Sequence, residues 1–348
     1  MGRPRRPQRG AEALREPPRL STLAVMLTST LMTASAVLLG LVFLLLVELH
    51  RPGPAEQRIV VIPRGASVSA IAVHLQEQGV VRTAGVFRLA SEIYGRNGLK
   101  AGEYELPAGA SIVQVVRQLA EGKVLFHGVT IPEGATSATA IAILAANEVL
   151  TGPTPEAPPE GSILPETYTV ERGMTRAEVL AQMLAARERV LLELWQNRAP
   201  NLPFDTPEEA LILASVVEKE TGLAAERPQV AGVFVNRLRK GMRLESDPTI
   251  IYGLTKGVPL GRGLRRSEID APNPWNTYQI SGLPPTPICN PGQEAIAAVL
   301  NPPRTSALFF VADGTGGHAF AASYPEHLRN VERWRAIERS RAQAVGAP

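Results

Sequence analysis

The stretch TPEEALILASVVEKET, residues 206–221, decides how the chain is read. It opens on a helix start, with Thr206 at the N-cap, Pro207 at the first helical position and Glu209 placed to complete a capping box. Residues 210–217, ALILASVV, follow without a polar face. A helix that is apolar all round is buried all round, so the segment predicts the central helix of a domain core. Acidic side chains arrive only at its end. Glu218 lies seven residues after Leu211 and four after Ala214, on the same stripe as two core residues. Glu220 points about 200° away around the helix, so the two cannot share one site. A carboxyl at the edge of an apolar helix is partly desolvated, which raises its pKa, and a general acid working near neutral pH needs that. Glu218 is therefore the candidate acid. Its plainer reading is a helix-end glutamate paired with Lys219 or a nearby arginine.

Downstream, Arg227-Pro228 opens a second helix with Val230, Val233, Phe234 and Leu238 as its apolar stripe, ended by Gly241. Asp247 before Pro248 has N-cap chemistry. Residues 273–285 hold the Asn- and Pro-rich segments NPWNTY and GLPP, a long loop of the kind that is uncommon unless functional or disordered. Its amides and aromatic rings suit a sugar, which offers hydroxyls at the rim and C–H groups on its faces. Asn290-Pro291-Gly292-Gln293 starts another capped helix, and residues 307–312 and 318–323 read as a hairpin around a glycine turn. That turn does not precede a helix, so it is not a phosphate loop.

Upstream, one pattern recurs: VVIPRGAS at 60–67, YELPAGAS at 104–111, VTIPEGAT at 129–136, and a looser copy ending at Thr175. Each has an extended apolar run, a Pro or Gly turn, then Ser or Thr at an N-cap before helical periodicity. The pattern is read either as plain strand-to-helix punctuation or, over 58–125, as a small glycan-holding module resembling the LysM type. Residues 151–161, TGPTPEAPPEG, read as a linker or exposed loop.

Residues 20–47 form an uncharged run long enough to cross a bilayer. The 36 basic residues exceed the 33 acidic ones by three, and six arginines with two glutamates stand in residues 1–19, leaving a body of 30 basic and 31 acidic groups. The basic charge thus belongs to the tail, where it orients a membrane helix with its N-terminus in the cytoplasm. It does not make a nucleic-acid surface on the body. Ala34-Ser35-Ala36 has the form of a signal-peptidase site, but cutting there leaves Val37–Leu49 as an apolar new terminus, so an uncleaved anchor is the favoured reading. The one cysteine, Cys289, excludes an intrachain disulfide. A zinc site built from His318, Glu326 and His327 fits no ligand spacing in use.

Four stretches in series, LASVVEKET, FVNRLRKGMRLESDPTIIYG, NTYQISGLPPTPICNPG and FFVADGTGGHAF, resemble the MltG (YceG-like) endolytic murein transglycosylase family over roughly residues 160–330. Trp275 and Glu245 depart from the residues usual there. The resemblance implies an α+β protein: a basic cytoplasmic tail (1–19), a transmembrane anchor (20–49), a LysM-like module (58–125) and a larger mixed α/β catalytic domain (126–343). It implies an inner-membrane enzyme whose catalytic domain is extracytoplasmic. Its substrate would be peptidoglycan glycan strands, cut between N-acetylmuramic acid and N-acetylglucosamine to give 1,6-anhydro ends. It implies peptidoglycan synthases as partners and no cofactor or metal. The family's acid/base maps to Glu218, with Asn236, Asp247, Asn276, Tyr278 and His318 as candidates for the cleft wall. The rival expectation is a non-catalytic peptidoglycan-binding scaffold.

Overall fold

The computed structural model describes residues 22–345, so the arginine-rich tail and the last three residues lie outside the described residues. The chain divides into two compact units, Met1–Val124 and Leu125–Pro348.

The first unit begins with α1 (Thr22–His50), long and apolar enough to cross a membrane. It continues with β1 (Arg58–Ile62), α2 (Val68–Glu77), α3 (Ala84–Tyr94), β2 (Gly102–Leu106) and α4 (Ile112–Glu121). β1 and β2 pair antiparallel, with Val60 opposite Tyr104. The helices α2, α3 and α4 cover one face of this ribbon and bury Ile71, Leu75, Phe87, Val116 and Leu119. α1 runs unbroken through Ala34–Ala36, and its last turns join this core, with Leu49 buried and Leu45 packed beside it.

The second unit holds β3 (Phe126–Thr130), α5 (Ser137–Ala146), β4 (Thr167–Glu171), α6 (Arg176–Gln196), α7 (Pro207–Glu220), α8 (Arg227–Arg239), α9 (Asp247–Thr255), α10 (Arg266–Asp270), α11 (Gln293–Leu300), β5 (Phe309–Ala312), β6 (His318–Ala321) and α12 (Tyr324–Val345). β3 pairs with β4, and β5 with β6, both antiparallel. The result is a mixed α and β chain in which, among the described residues, the strands form three short pairs.

The recurring strand–turn–cap pattern is seen at all four copies. Ser67, Ser111, Thr136 and Thr175 sit at the N-caps of α2, α4, α5 and α6, each side chain accepting a backbone N–H from the first turn. The Pro-rich segment 151–161 lies inside the second unit, where the Pro159 carbonyl and the Glu160 carboxylate take hydrogen bonds from Ser137.

α7 is the core helix that its sequence predicts. Thr206 and Glu209 form the capping box with Pro207 at the first helical position, and Ala210, Leu211, Leu213, Ala214, Val216 and Val217 are all buried between α8, α11 and α6. Each of the leucine and valine side chains among them contributes about 1.5–3 kcal/mol when fully removed from water. Ser215 is tolerated there because its hydroxyl donates to the Ile212 carbonyl and accepts the Ile288 amide.

Candidate active site

The two glutamates at the end of α7 stand in different surroundings. Glu218 is buried at 8% exposure. One oxygen accepts from Arg227 at 3.1 Å and the other from the Gly292 amide at 2.9 Å. Arg227 also pairs with Glu133, so a cation is shared between two carboxylates. Burial raises the Glu218 pKa, opposed by the Gly292 amide and the Arg227 charge. The plainer sequence reading, a helix-end glutamate tied to an arginine, describes what surrounds it.

Glu220 faces the other way, as the helical repeat requires. It is half-buried and lines a cavity of about 310 Å³ together with Arg237, Glu245, Asp247, Tyr278 and His318. Leu244, Phe310 and Val311 supply its apolar wall. The fully buried Ser246 donates its hydroxyl to Glu220 at 2.8 Å. Desolvation pushes the Glu220 pKa up to about 7, with the Asp247 charge adding to the rise and Ser246 and Arg237 opposing it. Reading the apolar stripe does not point to Glu220, because the stripe registers what is buried and not where a buried helix meets an opening.

The remaining acids of the cavity are already engaged. Tyr278 donates its hydroxyl to Asp247 at 2.8 Å, and burial beside that carboxylate raises the phenol pKa. Glu245 pairs with Arg237 at 3.0 Å. The backbone at Glu245 is left-handed, φ 51°, a conformation that costs a side-chain-bearing residue about 1 kcal/mol or more. Its amide donates to the Thr277 carbonyl, which joins the turn before α9 to the long Asn/Pro loop. Arg237 is fixed in turn by the carbonyls of Arg243, Leu244 and Leu308.

Of the expected wall residues, Asp247, Tyr278 and His318 therefore come together around Glu220. Two stand elsewhere. Asn236 bonds the carbonyls of Thr305 and Ala307 and lines a separate groove of about 410 Å³ whose lining offers no carboxylic acid. Asn276 is fully buried and bonds the carbonyls of Ile269 and Ala271, pinning the loop on which Tyr278 rides. Asp247 is not a cap either. Ser246 takes the N-cap position of α9 and frees the Asp247 carboxylate for Tyr278. Trp275 lies outside the cavity lining, under the Lys256 ammonium and edge-on to Tyr252.

The zinc reading finds its side chains otherwise employed. His318 is paired with Glu226, Glu326 accepts the Ala322 amide at the start of α12, and His327 stacks on Phe309. Cys289 is buried, its thiol donating to the Ser215 carbonyl.

Residues 60–333 match the YceG-like family. The chain belongs to that family. Among its YceG-like relatives, the endolytic murein transglycosylase of Bacillus subtilis (strain 168) is 30% identical over 307 residues, taking in 78% of this chain and 83% of the relative. The endolytic murein transglycosylase of Streptococcus pneumoniae serotype 2 (strain D39) is 32% identical over 319 residues, and the chain spans 57% of its length. A crystal structure of a YceG-like protein from Listeria monocytogenes is similar at a TM-score of 0.48 with 26% identity, covering 79% of this chain and 98% of that one.

Proposed function

We propose that the chain is a membrane-anchored endolytic murein transglycosylase, that its active site is the cavity around Glu220, and that Glu220 is its acid and base. Kinship to the endolytic murein transglycosylases supports the reaction class. One observation carries the site: a half-buried carboxyl whose pKa is pushed to about 7 opens onto the cavity, beside carboxylates that are already paired. A group with that pKa is protonated often enough at neutral pH to donate, and basic enough afterwards to accept.

In the reaction Glu220 donates its proton to the oxygen linking C1 of N-acetylmuramic acid to C4 of the next N-acetylglucosamine. As the C1–O bond breaks, the sugar's own C6 hydroxyl attacks C1, and the Glu220 carboxylate takes the hydroxyl proton. The products are a 1,6-anhydro end and a free C4 hydroxyl, and no water is consumed. Because the nucleophile belongs to the same sugar, the attack gains from proximity, and one carboxyl suffices where a hydrolase needs two.

The anchor reading puts α1 through the inner membrane with the N-terminus in the cytoplasm, so that both folded units face nascent strands on the outer side. The order strand, helix, helix, strand in β1–α2–α3–β2 supports reading residues 58–125 as a LysM-like glycan-holding module. Cutting within nascent strands ends their elongation, and peptidoglycan synthases are the fitting partners.

Product analysis on uncross-linked glycan strands tests this. Glu220→Gln is expected to lower anhydro-product formation by roughly 10²–10⁴-fold, while Glu218→Gln keeps most activity and loses stability. The reverse ranking returns the acid to Glu218. Strand binding by the unaltered chain with no cleavage establishes the scaffold instead. Label from ¹⁸O-water entering the new end makes the enzyme a hydrolase, with Asp247 as the second carboxylate.

A further inference from the structure

His318 enters the cavity from the first residue of β6 and is gripped from behind by Glu226, which ends the short 3₁₀ turn Ala224–Glu226 between α7 and α8. One Glu226 oxygen accepts the His318 backbone amide at 2.8 Å, and the other lies 2.7 Å from ring Nδ1. The two side chains are 18% and 19% exposed, so the pair is largely withdrawn from water. Gly317 makes the grip possible, since a Cβ there would stand 2.5 Å from the carboxylate. Phe310 holds the ring from the side, edge-on at 5.2 Å. Thr221, the residue after Glu220, places its hydroxyl 3.5 Å from the same carboxylate, so the grip is anchored to the end of the helix that bears the acid.

A carboxylate only accepts, so ring Nδ1 carries a proton. In the neutral ring the lone pair then sits on Nε2, the edge left to the cavity, and its natural partner is a hydroxyl. Fastening the β5–β6 hairpin requires only the backbone bond to the His318 amide. The second bond, to the ring, selects a tautomer and an orientation.

We propose that Glu226 is a positioning residue for the glycan reaction: it holds His318 as the Nδ1–H tautomer and turns Nε2 toward the cavity to accept a hydrogen bond from a sugar hydroxyl, seating the sugar against Glu220. This rests on the reading that the cavity binds glycan. His318 touches the substrate, and Glu226 acts through it.

The test uses the full chain in detergent micelles with uncross-linked glycan strands. In Glu226→Gln the amide donor opposes Nδ1–H, so the ring proton moves to Nε2 and the acceptor is lost. Glu226→Gln and His318→Gln are each expected to cut kcat/KM about tenfold or more, and the double variant falls no further than His318→Gln, because both remove one contact. Gly317→Ala, which displaces the carboxylate without changing the chemistry of Glu226 or His318, is expected to mimic Glu226→Gln. With ¹⁵N-labelled histidine, the unaltered chain shows an unprotonated Nε2 whose signal moves on adding strands, and Glu226→Gln shows a protonated one. Full activity in Glu226→Gln, losses that multiply in the double variant, or an Nε2 signal indifferent to strands each overturn the proposal. If the unaltered chain forms no anhydro product, the lytic reading fails by itself, and the histidine signals still decide the tautomer and the contact. If Glu226→Gln does not fold, Gly317→Ala and the ¹⁵N spectra of the unaltered chain decide the matter.

Discussion

Two glutamates two residues apart on one helix stand in opposite surroundings. Glu218 meets Arg227 and the Gly292 amide, Glu220 meets Ser246 and an opening. An unfolded glutamate ionises near 4.5, whereas the fold holds Glu220 protonated up to about 7. Its folded pKa is raised, so the stabilisation it gives is full below pH 4.5 and is lost as pH rises through 7. A shift of this size is worth roughly 3 kcal/mol at most. Denaturant unfolding of the unaltered chain should therefore show stability falling between pH 5 and 8, and Glu220→Gln should lose that slope and be the more stable of the two at pH 8. Activity should fall on the alkaline side of about pH 7, as the acid form is titrated away. Replacing Arg227 by Ala leaves Glu218 buried without its cation and should cost about 3 kcal/mol or more in the same measurement.

At the scale of elements, the helix starts were written locally. The Thr206-Pro207-x-Glu209 box and the four Ser or Thr caps stand where the residue spacing puts them, because a cap is satisfied by amides two or three residues away. Thr206→Ala should cost about 1 kcal/mol, read as a shift in the unfolding midpoint with unchanged activity. Where the partner was distant, local reading failed. The segment Asn290–Gln293 reads as the start of a capped helix, yet Gly292 holds the N-cap position of α11 and no side chain caps it. The Asn290 side chain instead accepts the Ile163 amide and donates to the Ala135 carbonyl, 127 and 155 residues away. The cavity wall shows the same limit, since Tyr278 reaches Asp247 across 31 positions, and no periodicity announces such a pair.

For the first unit as a whole, the long apolar helix α1 and the small strand–helix module are one piece. Leu49 is 2% exposed in the core formed by β1, β2 and α2–α4, so α1 ends inside the module instead of in a spacer. Leu49→Ala should destabilise that unit by about 3 kcal/mol, seen as earlier unfolding in denaturant. An uncleaved anchor also predicts that N-terminal sequencing of the membrane-embedded chain reads residues upstream of Ala36. A chain beginning at Val37 would establish the signal-peptide reading.

Composition, apolar periodicity and capping spacing determined by themselves the long apolar helix α1, the buried helix α7, its capped start and the strand-turn-helix repeats. These rest on hydrogen bonds and burial along a few turns of chain, which spacing encodes. Only the tertiary structure decided which face of α7 meets a cavity, that Glu218 closes an ion pair while Glu220 opens onto Asp247, Tyr278 and His318, and that Asn236 and Asn276 hold loops. Those outcomes depend on desolvation and on partners brought in from up to about a hundred residues away, and a carboxyl's chemistry is set by those neighbours, not by its place in the helix.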